Sequence, residues 1–132
     1  MMKTMLVSKD PELIRIITSS DVFSKEKFIL ISQTKDPLDI MSAVCSKNPT
    51  LLIMDDDFLK PDSAHILKSI KKVKQSIYVI FITSDSSFDL GKEVSQLGIQ
   101  FYTHKPLVGK DLIDSVSSIS RLKVNENHYN LS

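Results

Sequence analysis

Three consecutive acids, Asp55-Asp56-Asp57, close the short apolar run Leu51-Leu52-Ile53-Met54. A hydroxyl pair, Thr83-Ser84, closes a second apolar run 28 residues after Asp55, and Lys105 follows Thr83 by 22 residues. Alone, the acidic triplet reads as an ordinary cap on a strand-to-loop junction. With a hydroxyl and an ammonium beside it, a more specific chemistry opens. An aspartate carboxylate can attack a phosphoryl group and carry it as an acyl phosphate. That transfer depends on positive charge and donors around the equatorial oxygens, which a Lys and a Thr supply.

These residues meet only if the elements bearing them end on one edge. Five apolar runs are too short for helices and rich in β-branched or aromatic residues: Met5-Leu6-Val7, Phe28 to Ile31, Leu51 to Met54, Ile77 to Ile82 and Ile99 to Tyr102. They are continuous rather than alternating, as in parallel strands covered on both faces. Amphipathic stretches with helix-start chemistry lie between them. Asp10-Pro11 opens Leu13, Ile14, Ile16 and Ile17, and Asp36-Pro37 opens Leu38, Ile40, Met41 and Val44. Asp62 or Ser63, Ser86 or Ser87, and Gly109 precede three further helices, and Gly98 stands where a helix-ending glycine is favoured. The pattern is five β-α units beginning near residues 3, 27, 50, 77 and 99. Right-handed crossovers make this a doubly wound α/β fold, one open five-stranded parallel sheet with helices on both faces and function at the carboxyl ends of the strands.

Composition bounds the rest. The chain has 132 residues, 42% of them hydrophobic, enough for one domain with its own core. Seventeen basic against sixteen acidic residues leave a net charge of +1, with none of the clustering a nucleic-acid surface requires. The lone Cys45 cannot form an internal disulfide, which fits a reducing, cytoplasmic setting, and Cys45 itself reads as a small packing residue. No apolar run approaches a membrane span, and the one at the N-terminus is too short for a signal peptide. Residues 1–124 form the expected domain, and 125–132 read as a polar tail or the start of a linker.

With these residues in place, the chain resembles the receiver domains of two-component response regulators, the chemotaxis regulator being the simplest relative. The resemblance runs from residue 3 to about 122 and is most specific over Gly98-Ile99-Gln100-Phe101-Tyr102-Thr103-His104-Lys105-Pro106. Asn48-Pro49-Thr50-Leu51-Leu52-Ile53-Met54-Asp55 matches the family's third strand, and Thr83-Ser84 matches its hydroxyl-then-small pair. The resemblance implies that Asp55 is the phosphoacceptor and that Lys105 pairs with it or with its phosphoryl group. It also implies a sheet of strand order 2-1-3-4-5, that Thr83 donates to that group and moves with the switch aromatic Tyr102, and that Lys105-Pro106 is cis. Asp57 rivals Asp55, since Pro61 lies four residues after it. Counting from Asp55, however, sets Ala64, Ile66, Leu67 and Ile70 at the family's apolar helix positions.

One departure from the family bears on the chemistry. Where relatives end the first strand with two acids that hold Mg²⁺, this chain has Ser8-Lys9. An ammonium offers no oxygen ligand and repels the ion. Lys9 is expected to lie against Asp55 instead, while Asp10 and Asp57 stand as displaced carboxylates, so Mg²⁺-dependent phosphorylation should be slow or absent. Ser63, where the family usually has Gly, is a second departure. Two functions follow from the resemblance. One is a phosphorelay from a histidine kinase to Asp55. The other is a phosphorylation-independent protein-protein interaction module, or pseudo-receiver. Neither is an enzyme in the usual sense. The expected partner is a sensor kinase or another signalling protein, with dimerisation through the face of the fourth and fifth helices open, and with no nucleic acid or membrane. A flavin-binding domain of the same topology is disfavoured, because Ser8-Lys9-Asp10-Pro11 is no hydroxyl- and glycine-rich phosphate loop.

Among the remaining residues, His104 reads as a solvated loop histidine, and His65, His128 and Cys45 have no metal-site spacing. Lys68, Lys71, Lys72 and Lys74 read as a solvated helix end. Phe101 beside Tyr102 sets two aromatics on opposite faces of one strand, so that one would face outward.

Overall fold

In the computed structural model, residues 2–130 are described, with side chains for 2–124. The apolar runs become five parallel strands: β1 (Thr4–Val7), β2 (Phe28–Ile31), β3 (Leu51–Asp55), β4 (Tyr78–Thr83) and β5 (Phe101–His104). They lie in the order β2-β1-β3-β4-β5, as expected. Every residue of β1, β3 and β4 is buried, whereas the edge strands β2 and β5 are half-covered. This is why the central runs are continuously apolar.

The helices are α1 (Pro11–Thr18), α2 (Pro37–Lys47), α3 (Asp56–Leu59), α4 (Ser63–Val73), α5 (Phe88–Ser95) and α6 (Gly109–Asn130), with a 3-10 turn at Lys25–Lys27 before β2. Alternate strand residues feed two core layers, because successive side chains leave a strand on opposite faces. Met5, Val7, Leu52, Met54, Val79 and Phe81 meet Ile40, Val44, Ile66, Leu67, Ile70 and Val94 from α2, α4 and α5. Leu6, Leu51, Ile53, Ile80 and Ile82 meet Leu13, Ile17, Leu112, Val116 and Ile119 from α1 and α6.

The aspartate-proline starts behave as their chemistry dictates. Asp10 accepts from the Glu12 and Leu13 amides at 2.9 and 3.4 Å, and Asp36 accepts from Leu38 at 2.9 Å. Ser87 caps α5 through the Leu90 amide at 3.3 Å. Each such cap contributes about 1 kcal/mol. Helix α4 instead starts after Asp62 with no side-chain cap, and Ser63 turns inward to donate to the Asp56 carbonyl at 3.4 Å. Gly98 takes φ +77°, a conformation that costs a glycine little.

Several expectations are corrected. One extra helical turn, α3, follows β3 directly, so the face ascribed to the fourth and fifth helices is formed by α5 and α6. Helix α6 runs past the expected boundary at 124 as far as Asn130, with no Pro or Gly after Gly109 to halt it; residues 131–132 lie outside the described ones. Cys45 is exposed on α2 rather than a packing residue. Neither aromatic of β5 faces outward unpacked. Phe101 joins the layer beneath α1 and α6, and Tyr102 stacks on Phe81 with centroids 5.6 Å apart and planes 8° from parallel. Of the basic cluster, Lys68 and Lys72 are exposed, while Lys71 donates to the Ile77 carbonyl at 2.7 Å and Lys74 to the Asn48 side chain.

Candidate functional site

The parallel sheet brings the ends of β1, β3, β4 and β5 to one edge. Asp55, the last residue of β3, is 1% exposed. Its Oδ2 accepts from the buried Ser8 hydroxyl at 2.6 Å, and its Oδ1 accepts from the Asp57 amide at 3.1 Å. Lys105 arrives on the loop after β5, its own amide donating to the Thr83 carbonyl at 2.9 Å. The Lys105-Pro106 bond is cis, as the resemblance implied, and Lys60-Pro61 is cis as well.

The Lys105 ammonium stands where three carboxylates converge. Asp10 Oδ2 lies 2.9 Å from Nζ, Asp55 Oδ1 3.0 Å and Asp57 Oδ2 3.1 Å. Burial alone would push the ammonium towards neutrality. Its hydrogen bonds to Asp10 and Asp55, the Asp55 charge and Asp57 outweigh that, holding Lys105 well above the usual lysine value. The acids answer in kind. Burial would raise the Asp10 carboxyl, but Lys105 and the Glu12 and Leu13 amides hold it below the usual carboxylate range. Asp57 is held down likewise, by Ser84 and Lys105 against burial. A shallow pocket of about 430 Å³ opens over this group, lined by Lys9, Asp10, Lys35, Asp55, Asp57, Phe58 and Lys105.

One expected contact is not made. Lys9 does not lie against Asp55; it is exposed and forms no ion pair among the described residues, because Lys105 already fills that place. Thr83, expected to donate to a phosphoryl group on Asp55, is turned to the neighbouring acid. Its hydroxyl donates to Asp56 Oδ2 at 2.7 Å, and both residues are buried. Asp56 and Ser84 are the participants that sequence reasoning missed, Ser84 donating to Asp57 Oδ1 at 2.6 Å. Their one signal was the pairing of three acids after β3 with two hydroxyls after β4. Tyr102, the predicted switch aromatic, has its hydroxyl buried against α5 with no hydrogen-bond partner among the described residues. Burial, with the charges of Asp56 and Asp85, pushes that phenol up from its ordinary value. His104 is exposed, its ring edge-to-face with Tyr102 at 5.2 Å.

The donor set does not suit Mg²⁺, which needs several hard oxygens in near-octahedral array. Ser8 is bound to Asp55, position 9 is an ammonium, and the carboxylates close on Lys105. Among the described residues no group of three or more His, Cys, Asp or Glu is arranged to hold a metal ion.

Comparison with known proteins identifies the family. The family model described as response regulator receiver domain matches residues 5–117. The chain belongs to the receiver domains. This receiver domain is similar to sporulation initiation phosphotransferase F of Bacillus subtilis (strain 168), 29% identical over 125 residues, covering 95% of this chain and 99% of the relative. Two solved structures share its fold. The N-terminal domain of an uncharacterized protein from Wolinella succinogenes has a TM-score of 0.79 at 17% identity, with 96% and 99% of the two chains covered. A CheY-like receiver domain protein from Methanospirillum hungatei JF-1 has a TM-score of 0.74 at 17% identity and the same coverage. As a receiver domain the chain is a signalling module rather than a conventional enzyme. None of its described helices is long and apolar enough to cross a membrane.

Proposed function

We propose that this receiver domain carries Asp55 as its acceptor side chain but is impaired in Mg²⁺-dependent phosphorylation, and that it works chiefly as a phosphorylation-independent interaction module. The observation that carries this reading is the grip of Asp10, Asp55 and Asp57 on one ammonium, all within 3.1 Å. A lysine neutralised by three acids has little positive charge left for an incoming phosphoryl group. The ammonium also brings one unit of charge where a divalent ion would bring two. Each ~1.4 kcal/mol of transition-state stabilisation lost in this way slows transfer about tenfold. Asp55 is favoured over Asp57 as the acceptor because it ends the strand and is buried at the centre of the site, whereas Asp57 lies on α3 beneath Ser84. The expected partner is a sensor histidine kinase or another signalling protein.

A second reading, phosphorelay through Asp55, draws support from the similarity to a phosphotransferase over nearly its whole length. Incubation with acetyl phosphate and Mg²⁺, followed by intact-mass analysis, separates the two. Unchanged mass is the expected result. A stoichiometric phosphoryl adduct abolished by Asp55→Asn would establish the relay instead.

A further inference from the structure

Asp56 is the one member of the acidic triplet that does not touch Lys105. It is 3% exposed, and among the described residues it has no ion-pair partner. A buried carboxylate is tolerated only where hydrogen bonds hold it, and the side-chain donor here is Thr83. A hydroxyl has one proton to give, and Thr83 gives it to Asp56 at 2.7 Å. The same oxygen accepts from the Asp85 amide at 2.9 Å. The Asp85 carboxylate accepts from the Ser87 amide at 2.7 Å, and the Ser87 hydroxyl caps α5 at Leu90. A continuous run of hydrogen bonds therefore joins the Asp56 carboxylate to the first turn of α5. Beneath that helix lies Tyr102, its hydroxyl 3.8 Å from where a Cβ on Gly91 would stand. The Asp56 backbone is itself held, its carbonyl accepting from Ser63 and from the Lys60 amide at 2.7 Å.

We propose that Asp56 is a positioning residue: through Thr83, Asp85 and Ser87 it sets the start of α5 over Tyr102, independently of any change at Asp55. A bond between a hydroxyl and a carboxylate is among the stronger hydrogen bonds a protein makes, and this one is shielded from water. The proposal rests on the receiver reading only for its meaning in signalling. The arrangement of α5 is set internally, so the surface this helix presents persists without a phosphoryl group.

Hydrogen exchange of the α5 amides, with no phosphodonor present, tests this separately from the labelling of Asp55. Asp56→Ala and Thr83→Val should each speed exchange at Leu90 and Gly91, relative to the core strands, by roughly tenfold or more, the loss expected for a hydrogen bond to a charged group. Both should also shift the Tyr102 ring resonances in the same direction. Thr83→Ser, which keeps the hydroxyl, should restore protection and ring shifts. Wild-type exchange at α5 in Asp56→Ala would overturn the proposal. So would loss of protection in Thr83→Ser as complete as in Thr83→Val, because the effect would then be one of packing. If Asp56→Ala proves too unstable to study, the Thr83→Val and Thr83→Ser pair decides the matter.

Discussion

Replacing Lys105 with Met keeps the apolar stem and removes the ammonium that three carboxylates share. Asp55 then keeps the Ser8 hydroxyl and the Asp57 amide, Asp57 keeps Ser84, and Asp10 keeps its helix-capping amides. What disappears is the only cation within 4 Å of Asp55 among the described residues. Breaking a buried ion pair from one side costs about 3–5 kcal/mol. Lys105 is 18% exposed and its partners Asp10 and Asp57 are 25% and 23% exposed, so solvent returns part of that loss. A deficit of about 2–4 kcal/mol at pH 7 follows, or about 10 °C in Tm for a domain of this size. The pH dependence makes the test specific. In the wild type the folded Asp10 and Asp57 values lie below the unfolded value, so their stabilisation is present above about pH 4 and is lost as pH falls through the folded values. In the variant, burial and mutual repulsion are no longer offset by Lys105, and acidification relieves them. The gap between the two proteins should therefore narrow from pH 7 to pH 4. Urea unfolding followed by far-UV circular dichroism at both pH values reads it directly. A gap below about 1 kcal/mol at pH 7 would refute the reasoning, as would one that is unchanged on acidification.

Three further outcomes follow from the same geometry. Lys9→Asp exchanges an ammonium for an oxygen ligand at the mouth of the site, and calorimetric titration should show Mg²⁺ binding in the variant and none in the wild type; no binding would mean that the site is closed by Lys105 regardless of position 9. Asp10→Ala should destabilise the domain more than Asp36→Ala, because both lose a helix cap of about 1 kcal/mol but only Asp10 also loses Lys105; equal losses in urea unfolding would remove Asp10 from the site. Tyr102→Phe discards a buried hydroxyl that has no partner among the described residues, so thermal unfolding should show unchanged or slightly raised stability, within about 1 kcal/mol; a clear loss would reveal a bond to that hydroxyl.

How far the sequence could be read depended on whether a residue's role was set locally or by its neighbours in space. The strands themselves, the Asp10 and Asp36 caps and a serine cap at residue 86 or 87 were legible, because apolar run length and capping chemistry act within a few residues. The convergence of Asp55, Thr83 and Lys105 on one edge was legible too, since parallel strands all end on the same side, while the pairing of Asp55 with Lys105 came from the family resemblance. The division of labour within Asp55-Asp56-Asp57 was not. All three side chains have the same chemistry, and α3 begins at Asp56, so helical geometry replaces strand alternation and turns Asp56 inward to Thr83. Lys9 was misplaced for a related reason: charge alone drew it towards Asp55, but a lysine from the opposite side of the site already occupied that position. Cys45, exposed on α2, shows that a residue's type does not by itself fix its burial, and α6 shows that a polar sequence without Pro or Gly need not end a helix.

The central claim is that Lys105 serves as the internal counter-cation of Asp55. Nuclear magnetic resonance of the Lys105 side-chain ammonium and the Asp55 carboxyl carbon during Mg²⁺ titration tests it most directly. The account predicts a slowly exchanging ammonium signal and an Asp55 resonance that both persist unchanged through added Mg²⁺. A saturating shift of the Asp55 carbon, with loss of the ammonium signal as the metal enters, would contradict it.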